Sequence, residues 1–310
     1  MKKMIVVVLI LFGCVCYSVT PKPEEHRGLK RYVDEIMPLP VLTLTDVLIA
    51  AQRGTPAQLM HVLNASETDI NAADQQKNTL LMYAAENGNL PTLNALIEHG
   101  ADINLQNIHK NTALHFAAKK NHAPIVARLL EKADLNLNAT NSKGNTPLML
   151  SILYKNSPVT VLLLRPEIVA RGLDINKPNN YGGYPLIMAI DYHSLPILDR
   201  LLLLGAKTSV GEGLEIPLHT AVIEKRPDLI QRLLDVPGIA VNQADGLGET
   251  ALMIAANQGN LAIVRMLLNA GALVNLRDAQ GRTALDYAKD SESKNKVLMI
   301  KLLRDSGRLQ

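Results

Sequence analysis

Tryptophan is absent from this 310-residue chain, phenylalanine occurs only 2 times, and aromatics together make up 3% of the residues. A single large globular core normally anchors on such side chains, because each buries much apolar area. Yet 47% of the residues are hydrophobic. A core built from Leu, Ile, Val, Ala and Met implies many thin, similar layers of helices. Cysteine is also scarce: Cys14 and Cys16 both stand in the N-terminal apolar run. The remainder therefore has neither a disulfide framework nor a thiol nucleophile. No charge sign dominates, since the formal net charge is +3, and without Lys2 and Lys3 it falls to +1. Near-neutrality gives no electrostatic ground for nucleic acid as the main partner.

Catalytic and cofactor signatures are missing as well. There is no G-x-S-x-G, no H-E-x-x-H, no P-loop and no Cys/His cluster with metal spacing. Gly211-Glu212-Gly213 lacks the third glycine of a dinucleotide loop and reads as a turn. No cofactor, metal or enzymatic activity is expected.

The N-terminus reads as an address. Met1-Lys2-Lys3 is a short basic region, and Met4 to Gly13 is unbroken apolar sequence with small residues behind it. That order describes a secretory signal peptide over residues 1–18. The apolar run is shorter than the ~20 residues a membrane-spanning helix needs. Two outcomes stay open: cleavage after Ser18, or lipidation at Cys14, because Leu11-Phe12-Gly13-Cys14 resembles a bacterial lipobox. Phe12 is bulkier than the residue that pattern usually carries. Export to the periplasm or envelope is expected, with secretion as the alternative, and the membrane is engaged only through the signal segment or a lipid on Cys14. Residues 19–41, with Pro21, Pro23, Pro38 and Pro40, read as a tether in which Lys30 to Met37 form two helical turns at most.

From about residue 42 to residue 307 the chain repeats itself. TLLMYAAENGN at Thr79 returns at Thr112, Thr146, Tyr184, Ile216, Thr250 and Thr283, at intervals of 33, 34, 38, 32, 34 and 33 residues. A weaker copy, LTDVLIAAQRG at Leu44, precedes these seven units as a capping unit. Thr stands where a helix N-cap is needed. Pro147, Pro185 and Pro217 follow at the first helical position, where a missing N–H costs nothing. Alanine pairs such as Ala84-Ala85 let two helices approach closely, and Gly88 and Gly259 supply a left-handed residue ending the first helix. A second apolar-striped helix closes at Gly100, Gly205 or Gly271, followed by Ala-x-Ile/Val-Asn or a variant of it.

These residues resemble the ankyrin-repeat family over residues 42–307, and the N-terminal segment ahead of them resembles that of an exported bacterial protein. The resemblance implies an all-α solenoid of helix–turn–helix units with hairpin-like fingers. Such a unit cannot bury its apolar face alone and must lean on its neighbours. It also implies a monomeric protein–protein interaction scaffold whose partner, a protein the sequence does not identify, docks on the concave face. That face is made by finger tips and the exposed side of each first helix. His115 and His219, in the fourth place of T-x-L-H, are implied to bridge backbone groups of neighbouring units. Asp69, Asp102 and Asp174 read as turn formers.

Three departures carry expectations. Arg165 to Gly172 lengthen the third unit, and Pro166 is expected to break its second helix and produce a bulge on the outer or loop side. Tyr184 and Ile216 replace the capping Thr. Asp286 and Lys289 in the last unit are expected to face solvent.

For the interface, Lys110, Lys119, Lys120 and Lys143 put positive charge on units two and three. Tyr154, Tyr181 and Tyr192 place three of the 8 tyrosines beside them. Tyr buries much area at low entropy cost, so these seven residues are the candidate partner-binding set. The competing reading makes the lysines an ordinary solvated face and the tyrosines packing against neighbouring units. Two other roles stay open: a lipid-anchored envelope protein that regulates or protects an enzyme, and a secreted effector acting on host proteins.

Overall fold

The computed structural model describes residues 44–66, 68–209 and 216–307. The signal segment with Cys14, the tether, the Gly211–Gly213 turn and the tail 308–310 lie outside the described residues.

Among the described residues there are seventeen helices and no strand; isolated bridges join Ala73 to Thr79 and Ala244 to Thr250. The capping unit is α1 (Leu44–Arg53) and α2 (Pro56–Ser66). The first two units are α3 (Leu80–Asn87) with α4 (Leu90–Glu98), then α5 (Ala113–Lys120) with α6 (Ala123–Leu130). Unit three contributes α7 (Pro147–Leu153), α8 (Ser157–Leu163) and a short α9 (Pro166–Ala170). Units four and five are α10 (Pro185–Asp191) with α11 (Leu195–Leu203), and α12 (Pro217–Ile223) with α13 (Pro227–Leu234). Units six and seven are α14 (Ala251–Asn257) with α15 (Leu261–Asn269), and α16 (Ala284–Asp290) with α17 (Lys296–Gly307).

Helices this short fall below the ~12–15 residues at which an isolated helix becomes marginal in water, so packing must hold them. The first helix of each unit packs on the first helix of the next, from α1 on α3 through to α14 on α16. Second helices stack alongside, as in α4 on α6 and α15 on α17. Ala84, Ala85, Ala117, Ala118, Ala255 and Ala256 are buried at these contacts, where a larger side chain would push the helices apart. One hydrophobic cluster runs through every unit. The fold is the all-α ankyrin solenoid that the repeat implied.

Local chemistry follows the sequence pattern. Thr79, Thr146 and Thr250 accept hydrogen bonds from the backbone N–H three residues on, at 3.3 to 3.4 Å. Pro147, Pro185 and Pro217 begin their helices. Tyr184 and Ile216 make no side-chain cap bond. Gly88 caps α3 at φ +72, and an added Cβ there would meet the His122 ring at 2.7 Å.

One expectation changes and another is extended. The long third unit does not simply bulge: Pro166 starts a new helical turn, α9, which buries Ile168 in the core. Arg171 behind it donates to the carbonyls of Leu130 and, at 2.7 Å, Lys132 in the preceding unit. The Asp286 and Lys289 side chains do face solvent, and Asp286 has a second role beside that. It accepts from the Thr283 N–H at 3.0 Å and the Thr283 hydroxyl at 2.8 Å, forming a capping box, and it pairs with Lys289 at 2.8 Å.

Candidate functional site

Each finger among the described residues is shaped by one side chain. Asp74, Asn107, Asn141, Asn179, Asp245 and Asp278 each accept, through one oxygen, the backbone N–H groups two and four residues on, at 2.8 to 3.0 Å. Such an Asx turn fixes the tip without a strand on either side. Tips are then joined by main-chain bonds: Ile108 N to Gln76 O, Ser142 N to His109 O, Asn180 N to Lys143 O, and Ala279 N to Leu247 O. Of these six, the sequence pointed only to Asp278, in the polar turn Asp278-Ala279-Gln280-Gly281, beside Asp69, Asp102 and Asp174. Those three do form turns, each accepting the N–H two residues on. The Asp or Asn that recurs five residues before the capping position in every unit but the fifth, which has Gly211, was the available signal.

A second row of bonds crosses the opposite loops. Asn71, Asn104, Asn138, Asn176 and Asn242 each accept, at 2.8 Å, an N–H from the next unit. Asn104 also donates to Asp134 O at 2.8 Å. His115 is buried, and its Nε2 lies 3.1 Å from Asn145 O in the following unit. Burial pulls its pKa down to about 4, only partly opposed by that hydrogen bond. His219 likewise reaches Gln243 O at 3.0 Å, and burial lowers its pKa. Both imidazoles bridge units, as the resemblance implied.

Tyrosines lock two fingers. Tyr83 donates to Asp74 at 2.7 Å, and Tyr287 lies 2.8 Å from Asp278 and also contacts Glu249 and Arg282. Burial pushes the Asp278 carboxyl up, but hydrogen bonds from Tyr287 and Arg282 outweigh it and hold the group below the usual carboxylate range. Burial, reinforced by those two carboxylates, pushes the Tyr287 phenol up.

The candidate binding residues divide. Lys119 Nζ stands 5.5 Å from the centroid of the Tyr154 ring in the next unit, and that ring is 48% exposed. Lys120 Nζ pairs with Glu86 at 3.6 Å. Lys110, Lys143 and Tyr181 sit on fingers rather than at helix ends, and all three are exposed, Tyr181 by 71%. Lys110 has φ +58 and occupies the left-handed turn position held by Gly144, Gly182, Gly248 and Gly281 in other fingers. Tyr192 is half-buried and packs against the core, with Lys155 Nζ 5.8 Å above its ring. Lys155 was missed; its place directly after Tyr154 was the available signal. Apolar side chains lie exposed on the same features: Ile108 and Leu247 at tips, Ile223 at a first-helix end.

Among the described residues, no three of His, Cys, Asp or Glu converge to hold a metal ion, and no helix is long and apolar enough to cross a membrane.

A stack of similar helix pairs, their described fingers stapled tip to tip and presenting side chains from fingers and helix ends, defines a repeat scaffold of the protein-interaction class. The chain belongs to the ankyrin-repeat family: the family model described as ankyrin repeats (3 copies) matches residues 47–141 and 218–308. The unmatched centre contains the α9 insertion, Tyr184 and Ile216, where the repeat departs most from its own pattern. "Ankyrin repeat and SOCS box protein 11" of Homo sapiens is 34% identical over 85 residues, covering 27% of this chain and 26% of the relative. "Putative ankyrin repeat-containing protein" of Treponema pallidum (strain Nichols) is 31% identical over 112 residues, covering 36% and 37%. "Tyrosine-protein kinase HTK16" of Hydra vulgaris is 45% identical over 73 residues, covering 23% and 10%. The chain thus spans only a minor part of these relatives' length. Ankyrin repeats bind protein partners and are generally non-catalytic.

Proposed function

We propose that this chain is an exported, non-catalytic, monomeric scaffold that holds a partner protein on the concave face of its solenoid, centred on units two to four. One observation carries the reading: Lys119 covers the half-exposed ring of Tyr154 in the next unit. A cation held over an exposed ring presents charge and apolar area together, the combination that interface hot spots favour. Inter-unit hydrogen bonds fix this surface before binding, which keeps the ordering cost of association small.

The test is capture of partners by the full chain and by a Lys119→Glu/Tyr154→Ala double variant of unchanged melting temperature. Loss of the captured protein in the variant is expected, and unchanged capture removes the patch. Export rests on the basic start and apolar run of residues 1–18 and is checked by mass spectrometry of the mature N-terminus. A lipid-anchored form is favoured by Leu11-Phe12-Gly13-Cys14. Fatty-acid labelling of the intact chain, lost in Cys14→Ser, decides between the two.

A further inference from the structure

Between units three and four the helix ends part to form a crevice of about 230 Å³, lined by Ile152, Lys155, Ser157, Tyr192, Ser194 and Ile197 among others. Its composition is unusual for this solenoid. Five residues after each capping position the other six units place Ala84, Ala117, Ala189, Ala221, Ala255 and Ala288, but unit three places Ser151. Ser151 and Thr160 are both buried, 2.9 Å apart, and both line the crevice. Lys155 and His193 at the mouth have φ +57 each, in the left-handed turn where Gly88 and Gly259 stand in units one and six. A side chain in that conformation is strained, and such strain gathers where a side chain must be presented. Among the described residues, Lys155 Nζ rests on the Tyr192 ring rather than on a carboxylate, while His193 Nε2 has Glu224 at 3.9 Å.

We propose that this crevice is the anchor pocket for a glutamate side chain in an extended, acidic segment of the partner protein. The proposal deepens the scaffold reading and rests on it. Two properties select this occupant. Ile152 and Ile197 offer an apolar wall suited to methylene groups, which a bare inorganic anion would leave uncovered. Lys155 supplies the opposite charge and Ser157 and Ser194 supply hydroxyl donors for a carboxylate. The exposed Tyr154 ring and Lys119 lie at the adjoining helix end, ready for the flanking residues of an extended segment. The equivalent crevice between units five and six keeps Lys225 at φ +54 but places Gln258 and Gly259 where Tyr192 and His193 stand, so it lacks the aromatic wall.

The full chain is titrated, by fluorescence anisotropy, into fluorescein-labelled Gly-Ser-Leu-Glu-Leu-Ser-Gly and the same peptide with Gln for Glu. The Glu peptide is expected to bind at least about tenfold more tightly, a discrimination typical of one charge-assisted contact. Lys155→Gly supplies the residue a left-handed turn accepts most readily. It should keep or raise the melting temperature while losing that preference, and Lys225→Gly should retain it. Inorganic phosphate should compete only weakly. Equal binding of the two peptides, a preference surviving in Lys155→Gly, or phosphate displacing the peptide at equal concentration would each overturn the pocket. If the pocket fails while Lys119→Glu/Tyr154→Ala still abolishes partner capture, the scaffold reading stands alone. If Glu preference holds while capture survives that double variant, the pocket stands and the central patch falls.

Discussion

His115 Nε2 lies 3.1 Å from the backbone carbonyl of Asn145, 30 residues further along the chain and in the next unit. One imidazole thus joins two layers, and its buried position makes the joint sensitive to acid. Its folded pKa is depressed to about 4 from an ordinary 6.5. Above pH 6.5 the ring is neutral in both folded and unfolded chains, so its contribution is fully present. As pH falls from 6.5 to 4 the unfolded chain binds a proton that the folded chain resists, and stability declines by up to about 3 kcal/mol. Units one, three and six carry Met82, Met149 and Met253 in this position. His115→Met should therefore reduce the slope of the stability–pH profile between pH 6.5 and 4, leaving the contributions of His219 and, towards the acid end, of Asp278. Urea denaturation at three pH values measures it, and an unchanged slope would count against the assignment.

Tyr287 and Tyr83 stand at equivalent places but hold different loads. Tyr83 donates to one carboxylate, Asp74, whereas Tyr287 contacts Glu249, Asp278 and Arg282. Removing a hydroxyl that serves buried acceptors costs about 1–3 kcal/mol. Tyr287→Phe is expected in the upper part of that range and Tyr83→Phe in the lower, read as shifts in denaturation midpoint. Equal losses would show that the seventh unit's network adds nothing.

Glycine positions separate strain from collision. Gly259 has φ +68, and a Cβ there would lie 2.1 Å from Ser293 Cβ; Gly271 has φ +87 with nothing within 4 Å. Gly271→Ala should cost about 1–2 kcal/mol, the strain of a left-handed alanine. Gly259→Ala should cost more, because the Ser291–Ser293 loop ahead of α17 must shift away. Thermal melts of the two variants give the comparison, and a reversed order would contradict the packing of the last unit.

The caps offer an additive pair. Thr146→Ala and Thr250→Ala each remove one hydroxyl acceptor from a helix start. Each should cost about 1 kcal/mol. They lie in different units with no shared partner, so the double variant should lose the sum within about 0.5 kcal/mol. A markedly larger loss would mean that the units between them unfold as one.

Much of the candidate site can be placed from the sequence because it lies on repeat positions. Tyr154 and Tyr181 are exposed as an interface requires, while Tyr192 is half-buried against the core, as the competing reading held. The place of Lys155 directly after Tyr154 is legible, but which ring it covers is not, because Tyr192 lies in the next unit. Ile168 is similar: Pro166 signals an interrupted helix, but burial of the new turn depends on the space beside it.

By itself the sequence determined the unit: a cap, a proline start, small residues, a left-handed stop and a second stripe are local features, each acting within a few residues. Its recurrence determined the stack, since no single pair of short helices can cover its apolar face. Only the tertiary structure decided that Lys119 meets Tyr154, that Lys155 meets Tyr192, and that a polar crevice opens between units three and four. Those pairings join residues more than thirty positions apart, and their geometry depends on how one layer settles on the next.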